Sequence, residues 1–285
     1  MGGGVCAHPI AKRLRLASAS KGATESLTSR IVPTAHAAGT SYVSPIMPKT
    51  LRVDIWSDIV CPWCYVGKRR FEAALAQFPH HDAVAVTWRA FELDPSAPRL
   101  ADPSVSLAQG LARKYGMPLP QADGMLVKMT ETAAAEGLDF HFEKARRGNT
   151  FDAHRVLHLA GERGVQDAVK ERLMRGYFTE GAAVSDPEVL ATLGAEAGLD
   201  ADEVRTVLAA ETYAAEVRAD EGTARELGIT GVPFFVIAGR FGISGAQPAT
   251  ALLEALDRAW KEAKDEPALE AQEGAACGPA GCATG

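Results

Sequence analysis

Leu51-Arg-Val-Asp-Ile-Trp-Ser57, followed three residues later by Cys61-Pro-Trp-Cys64, decides how this chain reads. From 51 to 57 large apolar and polar residues alternate, the period of a strand. After the cysteines, Val66, Phe71, Leu75 and Phe78 recur at helical spacing. Pro62 suits the first turn of that helix, where a backbone N–H would have no partner. Ala83-Val-Ala-Val-Thr-Trp-Arg-Ala-Phe91 reads as a second strand. The order is therefore strand, helix opened by two cysteines, strand.

Two thiols separated by two residues at a helix start can close a disulfide within one turn. Unpaired N–H groups and the positive end of the helix dipole favour a thiolate there. That predicts the lower pKa for Cys61, which would attack or be attacked, and a resolving role for Cys64. Trp63 offers an apolar face to a polypeptide or a small thiol. Asp58, just before the motif, could tune the thiols or move a proton to Cys64, or simply cap the loop. Two alternatives stay open: plain core cysteines, or a zinc site made with Cys277 and Cys282.

Working outward, residues 104–228 carry helical patterns. Ser185-Asp-Pro-Glu188 reads as a capping box with Ser185 as N-cap and Val184 and Val189 as its staple, and Asp200-Ala-Asp-Glu203 repeats the signal. Val232-Pro-Phe-Phe-Val-Ile237 reads as a buried strand, with Arg240-Phe-Gly-Ile243 as its hairpin partner across Ala238-Gly239. Pro233 is anomalous in a central strand; a cis Val232–Pro233 bond in a loop facing the cysteines would explain it, and the Val232 backbone could then receive an extended substrate. The alternative is a proline at the first residue of a strand. Pro248 opens a last helix with Leu252, Leu253, Leu256 and Trp260 on one face. Together these elements describe an α/β chain, a thioredoxin-like fold with a large helical insertion. Its parts are a thioredoxin-like domain at 49–103 and 229–263 and an inserted helical domain at 104–228.

The two ends read differently. Residues 1–48 hold five basic residues, one acid (Glu25) and one aromatic (Tyr42), too little apolar surface to offset ordering entropy. They read as a disordered leader, and Met47 is a candidate natural start. Residues 264–285 lack aromatics, are rich in Ala, Gly and Glu, and end in Cys277-Gly-Pro-Ala-Gly-Cys282, which reads as a flexible tail with a second redox pair. The net charge of −6 and the lack of a long basic run argue against nucleic acid as a partner. No apolar run approaches the ~20 residues of a membrane span, and no apolar segment follows the early basic residues as in a secretory signal. A cytoplasmic location follows as the expectation, in which cysteines serve redox or metal chemistry rather than structural disulfides.

Cys61-Pro-Trp-Cys64 after Asp54-Ile-Trp-Ser-Asp58, then Asn149-Thr-Phe-Asp-Ala-His154-Arg155, then Gly231-Val-Pro-Phe-Phe235 together resemble the DsbA-like oxidoreductases of the FrnE type. The likeness runs colinearly over about residues 50–263. It implies a thioredoxin fold with inserted helices, disulfide exchange through Cys61 and Cys64, and a cis Pro233. It also suggests that Asn149 and His154 line the cleft. The same superfamily includes 2-hydroxychromene-2-carboxylate isomerases and kappa-type glutathione transferases, which usually carry serine in place of the cysteine pair.

The expected function is thus a disulfide oxidoreductase, with protein disulfide isomerase-type activity a possible form of it, acting on thiol- or disulfide-containing proteins or small molecules. It needs no cofactor or metal, and glutathione is a candidate co-substrate. The rival readings are a glutathione-dependent isomerase or transferase of the same fold and a zinc-binding or chaperone module. His154 and His158, four apart on one helix, are expected in packing or polar contacts rather than in a metal site.

Overall fold

The computed structural model describes residues 49–99 and 104–262. The leader at 1–48 and the tail with Cys277 and Cys282 lie outside the described residues. Strand β1 (Leu51–Ser57) leads through helix α1 (Pro62–Gln77) to β2 (Val84–Ala90), which pairs with it in parallel, Leu51 opposite Val84 and Ser57 opposite Ala90. A parallel pair needs such a crossover connection. Strands β3 (Phe234–Ile237) and β4 (Phe241–Ser244) complete a mixed sheet of order β2-β1-β3-β4, with β3 antiparallel to both its neighbours. Between β2 and β3 run helices α2 (Leu107–Tyr115), α3 (Leu119–Ala134), α4 (Phe151–Glu162), α5 (Gln166–Arg175), α6 (Pro187–Glu196), α7 (Ala201–Ala209) and α8 (Ala214–Glu226); α9 (Ala249–Glu262) closes the chain. This is an α/β, thioredoxin-like arrangement.

Leu51, Val53 and Ile55 point to one face of β1 and pack with Phe71 and Phe78 of α1 and Leu252 and Leu256 of α9. Each such side chain contributes ~1.5–3 kcal/mol on burial. The opposite face is not left to solvent. Trp56 packs there with Val236, Ile229 and Ala224 of α8, and Asp54 is buried beside Arg89. The alternation seen in the sequence is real, but helices cover its polar side too.

Two local readings shift. Asp186, not Ser185, is the N-cap of α6: its carboxylate accepts from the N–H of Glu188 and Val189. Proline at the next position fixes the helix start one residue later than the capping-box spacing implies. The strand expected from Val232 begins only at Phe234, and the Val232–Pro233 bond is cis. The hairpin turn is as expected: Ala238 and Gly239 both have positive φ (53° and 67°), the conformation of a type I′ turn.

The helices also close the outer edge of β2. Gln166 on α5 accepts from the Trp88 N–H (2.9 Å) and donates to the Trp88 carbonyl (3.1 Å), taking the place of a neighbouring strand. Asp220 on α8 accepts from the Ala90 N–H (2.9 Å) and from Arg89 (3.2 Å), faces His158 of α4 at 3.1 Å, and its backbone carbonyl accepts from the Trp56 indole (2.9 Å). Burial alone would raise the Asp220 carboxyl, yet His158, the Ala90 amide and Arg89 hold it below its ordinary value of 3.8.

Asp220→Ala should strand the buried Ala90 amide and take from Arg89 one of its two carboxylates, Asp54 remaining, and lower stability by about 2 kcal/mol, measured by urea unfolding. A depressed carboxylate stabilises above its unfolded value and loses that contribution as pH falls through the folded value. Wild type and variant should therefore converge as the pH drops below about 4. A constant gap down to acid pH would remove the carboxylate from this account.

Candidate active site

The turn after β1 delivers Cys61 as the N-cap of α1, with Pro62 in the first turn; the N–H groups of Cys64 and Tyr65 bond back to the Cys61 carbonyl (3.0 and 3.4 Å). Both thiols are unbridged. Cys61 is 4% exposed and Cys64 0%, while Trp63 stands out at 47%. The Cys61 thiol donates to the Val232 carbonyl at 3.7 Å, so the loop of the cis proline faces the cysteines as expected from the sequence. Gly67, one turn along α1, makes this approach possible: a Cβ there would lie 2.8 Å from Pro233 Cγ.

Beneath the cysteines lies a buried polar group drawn from both parts of the chain. Asp58 accepts from the N–H of Leu93 (2.8 Å) and Val60 (3.4 Å). Its carboxylate faces His154 Nε2 at 3.7 Å, beyond hydrogen-bond length. Burial would raise the Asp58 carboxyl, but His154, the Leu93 amide and Lys170 together bring it below its ordinary value. Lys170 of α5 is 0% exposed and donates to the Ser57 carbonyl at 3.4 Å, with its ammonium 5.4 Å from the Trp88 ring centre. Asp58 thus both caps the loop and sits under the thiols.

The two thiols form one buried pair whose ionisations depend on each other and on the groups around them. Hydrogen bonding to the neighbouring Cys64 sulfur, then burial, push the Cys61 thiol well above its ordinary value, with Asp58 adding to the effect. Burial also opposes a Cys64 thiolate, but the Cys61 thiol, Lys170, the Ser57 side chain and the Asp58 backbone outweigh it and bring Cys64 below its ordinary value. Cys61 has a carbonyl acceptor, which favours the protonated thiol, whereas Cys64 has donors and a cation. Lys170 and the Ser57 side chain lie on the Cys64 side of the pair, and the Val232 carbonyl on the Cys61 side.

Other residues singled out in the sequence lie around this centre. Asn149 is occupied: its amide donates to Glu92 (3.0 Å) and its carbonyl accepts from the Phe151 N–H (2.8 Å) just before α4. It shapes the start of the helix that carries His154 rather than offering a free group. Arg155, in the same segment, is fully buried and ties α4 to the end of α7 through the carbonyls of Val207, Ala210 and Thr212 and to Asp152. His158 faces Asp220, and among the described residues no three His, Cys, Asp or Glu side chains form a metal cluster. Lys170 escaped sequence reading. It sits in an ordinary amphipathic stretch 106 residues beyond Cys64, and only the fold brings the two together.

Residues 52–257 match the model of the DSBA-like thioredoxin domain. A probable DsbA oxidoreductase from Streptomyces coelicolor is similar in structure, with 49% sequence identity, a TM-score of 0.70, and coverage of 82% of this chain and 99% of that one. The structure of the cytosolic disulfide reductase DsbM from Pseudomonas aeruginosa with GSH shares the fold at 21% identity and a TM-score of 0.50, covering 75% of this chain and 98% of that one. An uncharacterized Bacillus subtilis protein, YwbO, is 28% identical over 190 residues, 66% of this chain and 87% of its own length. With the sheet, the cysteine-headed helix and the proline loop all within the matched span, the chain belongs to the DSBA-like thioredoxin family.

Proposed function

We propose that the protein is a thiol–disulfide oxidoreductase that exchanges disulfides with protein or small-molecule thiols through Cys61 and Cys64. The observation that carries this reading is the pair of unbridged thiols at the start of α1, the outer one against the Val232 carbonyl and the inner one against a buried cation. In the disulfide form, a substrate thiolate attacks Cys61 Sγ, the only sulfur of the pair with any surface, and Cys64 leaves as a thiolate. A lower leaving-group pKa speeds that departure. In the dithiol form the steps run backwards: Cys61 attacks a substrate disulfide and Cys64 resolves the mixed disulfide. Trp63 supplies an exposed apolar face beside the reacting sulfur, and the Val232 backbone offers polar docking to an extended chain. Glutathione is the small thiol proposed as co-substrate, and a reducing cytoplasm the proposed setting. Among the described residues no helix is long and apolar enough to cross a membrane.

Cys64→Ser should accumulate mixed disulfides through Cys61, seen by mass spectrometry after incubation with oxidised glutathione or a disulfide peptide. Cys61→Ser should abolish insulin reduction. Activity retained in Cys61→Ser would show that the roles are wrongly assigned.

Gly67→Ala should drive a methyl group into Pro233 and shift the loop that carries Val232. Overpacking of this kind costs ~1–3 kcal/mol, and exchange should slow several-fold while the cysteines remain titratable. Unchanged exchange kinetics would mean that the position of this loop does not matter to the reaction.

A further inference from the structure

Almost every arginine among the described residues holds a carboxylate; the exceptions are Arg113, Arg146, Arg147 and Arg225. The first three belong to one basic group. Arg113 and Lys114 end α2, and Lys144, Arg146 and Arg147 lie in the loop between α3 and α4. Among the described residues none of these five cations forms an ion pair, although the chain carries a net charge of −6. The α2 sequence contains no acid. The acids that flank the group are engaged: Asp94 accepts from Ser96 (2.7 Å), and Glu143 faces His141 (2.8 Å).

The two segments meet at Gly110. A Cβ there would lie 2.6 Å from both Cζ and Nε of Arg147, so the missing side chain lets the guanidinium rest on the α2 backbone. Glycine weakens a helix interior relative to alanine, yet this seat requires it. Arg99 adds to the same side: its carbonyl lies 3.7 Å from where a Cβ of Gly148 would stand, and its guanidinium shares the carboxylate of Asp152 with Arg155. Cations in a last helical turn complement the helix dipole, which accounts for Arg113 and Lys114 but not for the three in the loop. A short chain of contacts joins the group to the thiols. The Lys114 ammonium donates to the Leu93 carbonyl (3.4 Å), the Leu93 N–H donates to Asp58 (2.8 Å), and the Asp58 carbonyl accepts from the Cys61 N–H (3.4 Å). Leu93 itself is exposed. The cations thus start beside the cysteine turn and run back along α2, one helical turn from Lys114 to Gly110 and on to Arg147.

We propose that Arg113, Lys114, Lys144, Arg146 and Arg147 form a docking face for polypeptide substrates with an acidic stretch beside the cysteine presented to Cys61. The proposal rests on the exchange reading above and names the substrate class. Carboxylates of such a stretch neutralise cations that have no partner within the fold. The path from Cys61 past Leu93 and a turn of α2 to Arg147 is the length of several extended residues at ~3.3 Å each, which suits a polypeptide better than a small thiol. A nucleic acid would gain nothing from the neighbouring cysteines, whereas a cysteine-bearing chain does. Complementary charge at the edge of a site speeds encounter more than it tightens the final complex, which fits a reaction whose product must leave.

The test uses three disulfide-linked peptides that differ only beside the cysteine, in a run of Asp and Glu, of Ser and Gly, or of Lys. Each is offered to the reduced full chain, and its second-order exchange rate is divided by its rate with a small neutral dithiol. At low salt the acidic peptide should react about tenfold faster than the neutral one and the Lys peptide slowest, the differences fading as salt rises. Arg113→Gln, Lys144→Gln and Arg146→Gln together, all at exposed positions, should bring the acidic-to-neutral ratio most of the way to one. Arg147→Gln added to them should remove the rest, and should that chain fail to fold, the three exposed changes decide. Equal rates for acidic and neutral peptides, a preference indifferent to salt, or a triple variant that slows all three peptides alike would overturn the proposal. So would a triple variant that slows oxidised glutathione as much as the acidic peptide, or an oligonucleotide that binds this face while the peptides react alike. A wild type that exchanges with no peptide defeats the exchange reading and this proposal with it. One that exchanges with all three equally well defeats this proposal alone.

Discussion

The open edge of β2 is the constraint on which the molecule turns. A four-stranded sheet with β2 at its margin would present unpaired N–H and carbonyl groups, an invitation to wrong pairing. Here side chains answer them: Gln166 pairs with both backbone groups of Trp88, and Asp220 takes the Ala90 amide. Because Gln166 opens α5 and Asp220 sits on α8, satisfying the edge also fixes the helices against the sheet. Lys170, one turn beyond Gln166, is thereby set under Cys64. The geometry of the thiols and the pairing of the edge strand are one problem with one solution.

The surroundings of the two cysteines set two electrostatic effects side by side. A helix N-terminus contributes about 0.3–1 kcal/mol to a nearby anion, up to ~2 in favourable partly buried sites. A hydrogen bond to a charged group contributes about 1.5–3 kcal/mol. Cys61 sits at the dipole but faces a carbonyl; Cys64 lies a turn inside but has the Ser57 side chain and the Lys170 cation nearby. Position along the helix sets access to Cys61, while the cation and the Ser57 side chain lie on the Cys64 side.

Much of this was legible in the sequence because the signals were local. Leu51, Val53 and Ile55 announce a strand by period, Pro62 marks a helix start, Pro233 breaks the pattern of its own segment, and Ala238-Gly239 lies between two apolar runs. What stayed hidden depends on contacts across long stretches of chain. Trp56 and Asp54 look like the wet side of a strand until α8 covers them. The N-cap of α6 moved by one residue because Ser185 and Asp186 both satisfy the motif and only backbone geometry separates them. The bond from Asn149 to Glu92 joins residues 57 apart in the chain and has no local signal. Lys170 and Gln166 look like ordinary surface residues of an amphipathic helix, and nothing in their spacing tells that one meets a sulfur and the other a strand edge.

Cys61 occupies the N-cap of α1 without making any side-chain cap bond. Serine is among the best residues at that position, and a capping hydroxyl contributes ~0.5–2 kcal/mol over a residue that does not cap. Exchanging this sulfur for oxygen therefore meets no folding obstacle and should firm the helix, while ending disulfide chemistry at a single codon. For a lineage carrying this scaffold, redox activity is held in place by selection on the reaction alone. Drift from a dithiol centre to a hydroxyl centre is a downhill step for the fold.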